Sequence, residues 1–329
     1  MSLTNFPNGI TSFGIPIVGS GGGIPSTFGD YYFVNADTNA GSNYNDGKSA
    51  AAPFATIAKA YSMVVDGHDD VIVLSGNSAH VLTAMLPVAK SRVHFVGTGG
   101  VRRKNAQGSR ITMGLTAATA DIAMVKVTGG RVTFQNIKFY SANTLAQHLY
   151  TVLDNSDGGV YENCCFEANH KLSTATVAEL LCQGTGTRYI DCEIGGDSYV
   201  CSVARAALLF DASVGALSGA DGIEFDNCRF IQWTSTAAKY LIVIAAEGDL
   251  KGWCIMDACQ FITKVAEGTL AATYVVNPPA SLTTGDLMVS YPRFFNFTAF
   301  AVNSDASGVT VVGPTSAAFT GAPITPHTS

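Results

Sequence analysis

The hexapeptide FQNIKF at residues 134–139 is one copy of a short pattern that recurs through the second half of the chain. Further copies are YENCCF (161–166), YIDCEI (189–194), FDNCRF (225–230) and MDACQF (256–261), with a degenerate copy, RFFNF, at 293–297. Upstream, RVHF (92–95) resembles RVTF (131–134) and predicts one earlier turn. The copies lie roughly 30 residues apart with short β-rich stretches between them, which predicts a solenoid of stacked coils with parallel strands.

The fourth and sixth positions of the repeat form the predicted interior. Because alternate residues of a strand face opposite sides, both positions are expected on one inward face. The fourth position holds Ile137, Cys164, Cys192, Cys228 and Cys259, and the sixth holds Phe139, Phe166, Ile194, Phe230 and Phe261. Stacked strands would arrange them as ladders with a step of about 4.8 Å. The cysteines are predicted to be small core residues and not metal ligands, since no C-x-x-C spacing occurs.

The third position carries Asn136, Asn163, Asp191 and Asn227. One polar residue type recurring along a stack predicts a ladder that caps turns and links coils through side-chain amides. Contact with a substrate is the alternative interpretation.

Carboxyl groups are the remaining candidates for chemistry, because a glycosidase needs two of them about 5–10 Å apart and a Ca²⁺ site needs several oxygen ligands. The candidates are Asp69, Asp70, Asp154, Asp157, Glu162, Glu167, Asp191, Glu193, Asp197, Glu224, Asp226 and Asp257. The second position of the repeat is acidic in several copies, but Ile190 occupies it in one. Because strand alternation would turn this position inward together with the cysteines, the acids are expected at a corner and not on an open strand face. Asp70 opens an apolar strand and is expected to partner a turn or helix end. We therefore expect no catalytic residue, no metal site and no enzyme activity.

The composition excludes several classes of protein. Charged residues make up 13% of the chain, the net charge is −6 and the isoelectric point is near 5.4, which argues against a nucleic-acid binder. No apolar run reaches the 18 residues of a membrane span. The N-terminus lacks the charged and apolar regions of a signal peptide, which predicts assembly in a cytoplasm with reduced thiols.

Residues 31–81 combine a strand, a polar loop rich in Asn and Gly, the helical pattern PFATIAKAYSMVV and the strand VIVLSG. This order resembles the opening of pectate-lyase-like right-handed parallel β-helix proteins. The resemblance implies an all-β, single-stranded right-handed parallel β-helix over residues 29–300, with a capping helix at about 53–66 that protects the open N-terminal end. A C-terminal strand and tail would occupy residues 301–329. Because this module is frequent in bacteriophage proteins, the resemblance also implies a virion protein and a homotrimer.

Residues 1–28 form a predicted attachment arm. The stretch IVGSGGG (17–23) places Gly19 and Gly21 as in a dinucleotide fingerprint, but Ile24 occupies the third glycine position, so no cofactor is expected. The glycines are interpreted as a hinge, formed by Gly19, Gly21, Gly22 and Gly23. Apolar residues with prolines among them, predicted to form neither a helix nor a clean strand, would contact a partner surface: Phe6, Ile10, Phe13, Ile15 and Ile17.

These features together predict a capsid decoration, or cement, protein on the virion surface, assembled in the host cytoplasm. Its partners would be the major capsid protein and further copies of itself, with a glycan as an additional partner left open. A tailspike or fibre that binds and cleaves host surface polysaccharide is the main alternative. A secreted carbohydrate-active enzyme is a third.

Overall fold

The structure is a computed structural model that describes residues 10–12, 15–17, 29–99, 108–114, 122–142, 148–168, 177–201, 206–214, 219–234, 239–265, 273–279, 282, 284–297, 299–301 and 308–312. The first elements are β1 (Ile10–Ser12), β2 (Ile15–Ile17), β3 (Tyr31–Val34), α1 (Ile57–Met63), β4 (Asp70–Leu74), β5 (Ala79–Leu82), β6 (Leu86–Val88), β7 (Val93–Gly97), β8 (Arg110–Met113) and β9 (Ala123–Val127). The middle coils contain β10 (Thr133–Gln135), β11 (Lys138–Ser141), β12 (Tyr150–Asp154), β13 (Val160–Glu162), β14 (Cys165–Ala168), β15 (Ala178–Cys182), β16 (Arg188–Ile190), β17 (Glu193–Cys201) and β18 (Ala206–Phe210). The last coils contain β19 (Ile223–Asp226), β20 (Arg229–Thr234), β21 (Lys239–Ile244), β22 (Trp253–Asp257), β23 (Gln260–Val265), β24 (Thr273–Asn277), β25 (Asp286–Ser290), β26 (Arg293–Phe295), β27 (Ala299–Ala301) and β28 (Val309–Val312).

Three parallel sheets wrap around one interior. Sheet 1 has ten strands in the order β28-β25-β22-β19-β16-β13-β10-β7-β4-β3. Sheets 2 and 3 have eight strands each, in the orders β26-β23-β20-β17-β14-β11-β8-β5 and β27-β24-β21-β18-β15-β12-β9-β6. The eight coils from β4 to β27 each contribute one strand to each sheet in turn, and β3 and β28 extend the two ends of sheet 1. The fold is the expected right-handed parallel β-helix.

Aromatic rings stacked from coil to coil fill much of the interior. Phe95, Phe134, Tyr161, Tyr189 and Phe225 form one stack, with successive ring centroids 4.7, 5.2, 4.8 and 4.6 Å apart. These separations match the distance between neighbouring strands, because equivalent residues of successive coils lie directly above one another. A second stack joins Phe230, Phe261 and Phe294 at 5.2 and 5.5 Å.

The recurring hexapeptide spans a corner between sheets 1 and 2 and is not a single strand. Its third residue has a positive φ in each of the six copies, as at Asn136 (58°) and Asn163 (51°), and the chain bends there. The sixth copy is Val289–Phe294, since Phe294 pairs with Phe261, so the predicted copy RFFNF at 293–297 was out of register. The error arose because Tyr291 and Pro292 occupy the third and fourth positions, where earlier copies carry Asn or Asp and Cys.

Helix α1 packs against the N-terminal coil. Thr56 caps it by accepting the Lys59 amide hydrogen on Oγ1 (3.2 Å), and Ile57 and Ala60 are buried in the core. The helix is shorter than the predicted 53–66, because Phe54 bridges to Val34 in extended conformation before the helix begins. Among the described residues, no helix is long and apolar enough to cross a membrane.

The N-terminal segment contains a short hairpin, in contrast to the expectation that it forms no clean strand. β1 and β2 pair antiparallel, with Ile10 opposite Ile17 and Ser12 opposite Ile15. Phe6, Phe13 and the predicted hinge glycines lie outside the described residues. At the other end, β28 adds to sheet 1 beyond the predicted body boundary at residue 300.

Candidate functional site

The corner between sheets 1 and 2 is the surface on which the polar residues of the repeat come together. Asp191 and Asn227 continue the positive-φ row at 52° and 50°, a conformation that Asn and Asp adopt more readily than other residues with a Cβ. Asn163 Nδ2 donates to Asn136 Oδ1 at 2.7 Å, and Asn227 Nδ2 donates to Asp191 Oδ1 at 2.6 Å. These side chains therefore link successive coils as well as shaping the turn.

The second position of the repeat lies on the outer face of sheet 1, at the last residue of each strand. Glu162, Asp226 and Asp257 occupy it in three coils, and Ile190 interrupts the row. Strand alternation would turn this position inward together with the cysteines, and that interpretation was wrong. The residue that follows has a left-handed backbone conformation, which ends the strand, so the alternation of side chains begins again after it. The expected nearness to a corner agrees with the structure.

The charged side chains of this surface pair with one another. Gln135 Nε2 donates to Glu162 Oε2 at 3.2 Å, and Ser290 donates to Asp257. Two ion pairs follow the same stacking: Arg188 Nε to Glu224 Oε2 at 2.5 Å, and Arg229 to Glu193 Oε2 at 3.3 Å. Sequence reasoning did not single out Arg188 or Arg229. The signal was present, since each arginine occupies the same strand position as its glutamate in the neighbouring coil.

A shallow groove of about 220 Å³ follows the corner. Its lining is polar and consists of Asn163, Asp191, Cys192, Glu193, Asn227, Arg229 and Gln260. Amide and carboxylate groups of this kind can exchange hydrogen bonds with sugar hydroxyls. Asp226 and Asp257 stack on neighbouring strands beside the groove, with a strand spacing of about 4.8 Å, but both side chains are exposed to solvent.

Two further acidic candidates from the sequence, Asp154 and Glu167, are buried inside the body. Asp154 lies inside the β-helix, where Tyr189 Oη donates to Oδ2 at 2.6 Å and Ser156 Oγ donates to Oδ1 at 2.6 Å. Burial raises the pKa of Asp154. Glu167 is also buried and pairs with Lys138 Nζ at 2.9 Å. Neither carboxyl group is placed to meet a substrate from solvent. Asp197 lies in β17, but its side chain is outside the described part of the structure.

Asp70 acts at a helix end, as expected for that residue. Its carboxylate is fully buried and accepts the amide hydrogens of Val65 and Asp30, each at 2.7 Å. His68 Nδ1 lies 2.7 Å from Asp70 Oδ1, and the ligand atoms of Asp30, His68 and Asp70 are within 4.8 Å of one another. Lys48 Nζ lies 3.0 Å from Asp30 Oδ2, so one of the two carboxylates already has a cationic partner.

The cysteines of the fourth position are core residues. Cys164, Cys192, Cys228 and Cys259 are buried with Ile137, and each thiol donates to a carbonyl of the preceding coil at 3.2 to 3.5 Å. Burial raises the pKa of Cys164 and Cys228, which keeps them as thiols and removes nucleophilic character. Phe139, Phe166, Ile194, Phe230 and Phe261 are buried beside them.

No protein-family model matches the chain, and no curated protein sequence matches it. Solved structures do resemble it. A pectin methylesterase from Aspergillus niger aligns with a TM-score of 0.56 and 13% identity over 89% of this chain and 86% of its own. Pectate lyase Pel9A aligns with a TM-score of 0.57 and 15% identity over 86% of this chain and 68% of its own. A rhamnogalacturonan lyase aligns with a TM-score of 0.51 and 14% identity over 86% and 73%. The chain therefore shares the parallel β-helix fold of these proteins.

Proposed function

We propose that this chain is a non-catalytic structural protein of a bacteriophage virion, a decoration protein that binds the capsid surface through its N-terminal segment. The observation that carries the proposal is a contrast within the chain. The β-helix body buries its apolar side chains in its own stacked rows. Residues 1–28, in contrast, contain no Asp, Glu, Lys or Arg and carry isolated apolar side chains. An uncharged apolar segment joined to a rigid body suits attachment to another protein surface.

The pairing of charges at the corner supports a non-catalytic body. Arg188 and Arg229 are each neutralised by a glutamate of the neighbouring coil, and the fully buried Asp154 is enclosed by core side chains. A glycosidase needs a carboxylate pair held around a bound sugar. Many attached copies would act together, because multivalency multiplies weak contacts into stable binding of the capsid.

The attachment is tested by co-sedimentation with capsids that were assembled without this protein. We expect the full chain to bind, a variant lacking residues 1–28 to lose binding, and the Phe13→Asp/Ile15→Asp double variant to bind at least tenfold more weakly. Ala245→Asp changes an exposed apolar residue of a late coil, away from the α1 end, and serves as the matched control with unchanged binding. Circular dichroism checks that each variant retains its β-helix. Full binding by the truncated chain would refute the proposed attachment.

A homotrimer is part of the same proposal, and exposed apolar residues of the last two coils support it. Tyr291 is 64% exposed, Phe295 is 51% exposed and Trp253 is 43% exposed. Tyr291 lies at the corner, Phe295 lies on sheet 2 and Trp253 lies on sheet 1, so the apolar side chains extend around one edge of the body. Contact between copies would remove this surface from water.

A tailspike or fibre that binds polysaccharide is the second candidate. The stacked Asp226 and Asp257 beside the polar groove favour it, together with a fold shared with proteins named as pectin methylesterase and pectate lyase. Glycan-array binding that is lost in Asp226→Asn/Asp257→Asn, or release of oligosaccharides by the wild type only, would support this candidate against the structural one.

A further inference from the structure

An apolar groove of about 660 Å³ lies at the N-terminal end of the body, between α1 and the first strands of sheets 2 and 3. Tyr61 and Ala58 line it on the helix side, and the segment Ala79–Pro87 lines it on the strand side. Lys90 contributes the one charged side chain of this lining, and its ammonium group already donates to the carbonyls of Tyr61 (3.0 Å) and Val64 (2.6 Å). These hydrogen bonds hold the positive charge of Lys90 at the end of α1, and the rest of the lining is uncharged.

Two strand edges border this groove. β5 and β6 are the first strands of sheets 2 and 3, and no strand in the described part of the chain pairs with their N-terminal side. Sheet 1 differs at this end, because the backbone groups of Phe33 bond to Gly47 and Phe54 beyond the first strand. Unpaired strand edges beside an apolar groove are the structural basis of binding by strand addition.

His80 gives a second, independent indication of a ligand. The side chain is only 3% exposed and lines the groove, and Nε2 lies 3.0 Å from the Ser75 carbonyl, which fixes Nε2 as the protonated nitrogen. Nδ1 is then an acceptor, and it is buried without a hydrogen-bond partner among the described residues. A buried acceptor of this kind is satisfied when a donor such as a backbone N–H enters the groove.

The N-terminal segment has the matching chemistry. Residues 1–28 carry no charged side chain, and they include the hairpin of β1 and β2 with three residues in each strand. An isolated two-stranded hairpin is at best marginally stable in water, so it needs a further sheet to join. The segment enters the body at Asp30, whose amide bonds to Asp70 close to the end of α1, at the same end as the groove.

We propose that the hairpin of residues 10–17 docks in this groove and extends sheet 2 along the unpaired edge of β5 of its own chain. The connecting residues 18–28 span up to roughly 35 Å when extended, twice the length of a five-residue strand. Docking shields the apolar side chains of the segment from water until a partner surface competes for them. This inference concerns the free protein, and its test is independent of capsid binding.

The test replaces Phe13 in the full chain by the photo-crosslinking residue benzoylphenylalanine and maps the products by mass spectrometry. Equal amounts of ¹⁵N-labelled and unlabelled chains are mixed before irradiation. We expect crosslinks from position 13 to residues 79–87 within one chain. Val81→Glu, which puts a charge into the groove, should reduce the yield at least fivefold. Val65→Glu alters an exposed valine at the same end but outside the lining and should leave the yield unchanged.

The inference fails if crosslinks from position 13 go to other parts of the body, if none form, or if Val81→Glu leaves the yield unchanged. Mixed labelled and unlabelled peptide pairs would instead identify a second copy as the occupant and would overturn docking within one chain. Hydrogen exchange supplies an independent measurement on the same proteins. The amides of β5 should exchange at least tenfold faster in Phe13→Asp/Ile15→Asp than in the wild type, and equal rates would contradict docking.

Discussion

Asp154 is an ionisable residue in an otherwise apolar row of the interior. Its neighbours in the preceding and following coils are Val127 and Cys182. Hydrogen bonds from Tyr189 and Ser156 satisfy the carboxyl group, but burial still raises its pKa above the ordinary value. The folded protein therefore holds this proton more tightly than the unfolded chain does.

The raised pKa of Asp154 makes the stability of the protein depend on pH. Because the folded-state pKa is raised, the stabilising contribution of Asp154 is present at low pH. It decreases as the pH rises from the unfolded value of about 3.9 through the folded value. Asp154→Asn should raise the free energy of unfolding at pH 7 by about 1 kcal/mol, and the difference from wild type should disappear below about pH 4.

Urea unfolding at a series of pH values measures this effect. Asp157→Asn, an exposed residue of the same turn, is the matched control and should follow the wild-type curve. A difference between Asp154→Asn and wild type that stays constant with pH would show that the carboxyl group does not titrate as proposed.

The corner between sheets 1 and 2 is the element that repeats most regularly, but its row of Asn and Asp side chains stops after Asn227. Ala258 occupies the third position with φ 51°, and it cannot donate a hydrogen bond to Asn227 as Asn163 does to Asn136. The backbone keeps the left-handed conformation at Ala258 and at Tyr291 (48°), so the stacking of coils imposes the turn even without a favourable residue.

Completing the ladder should therefore stabilise the protein. Ala258→Asn adds a residue that tolerates the left-handed conformation and an amide donor beside Asn227, with an expected gain of about 1 kcal/mol in the free energy of unfolding. Ala258→Asp shares the conformational tolerance but lacks the amide donor, and it should gain less. Thermal and urea unfolding of both variants give the comparison. Equal gains in the two variants would show that the tolerance of the left-handed backbone, and not the added amide donor, stabilises the protein.

The elements also show what the sequence could predict. The spacing of aromatic and cysteine positions identified the coils because side chains that stack must repeat in the sequence. Strand alternation gave the wrong face for Asp226 and Asp257. The left-handed third residue divides the hexapeptide into two strands, whereas its sequence reads as one continuous strand. The register of the last coil depends on the pairing of Phe261 with Phe294, which Tyr291 and Pro292 obscured in the sequence.

At the scale of the whole molecule, the two ends of the β-helix differ. α1 covers part of the N-terminal end, whereas the last coils expose Trp253, Tyr291 and Phe295. The groove beside α1 had no signal in the sequence, since it depends on the separation between a helix and strand edges. The ion pairs at the corner were harder to recognise than the coils, because each arginine and its glutamate lie a whole coil apart along the chain.

The exposed apolar edge leads to a prediction about assembly. Tyr291→Glu/Phe295→Glu should convert the proposed trimer into monomers, because two charges per chain would have to be buried at the contact. Size-exclusion chromatography with light scattering measures the mass. Tyr44→Glu, at a still more exposed aromatic residue of the opposite end, should remain trimeric. A wild-type protein that is monomeric at all concentrations would contradict the trimer itself.

The central claim is that this β-helix is a structural part of a virion, held on the capsid by residues 1–28. The decisive measurement is cryo-electron microscopy of phage particles purified from cultures that express the chain. We expect density for the β-helix body on the capsid surface, with its α1 end facing the capsid and the N-terminal segment in contact with capsid subunits. Density for the body at the tail, or particles with no such density, would contradict the claim.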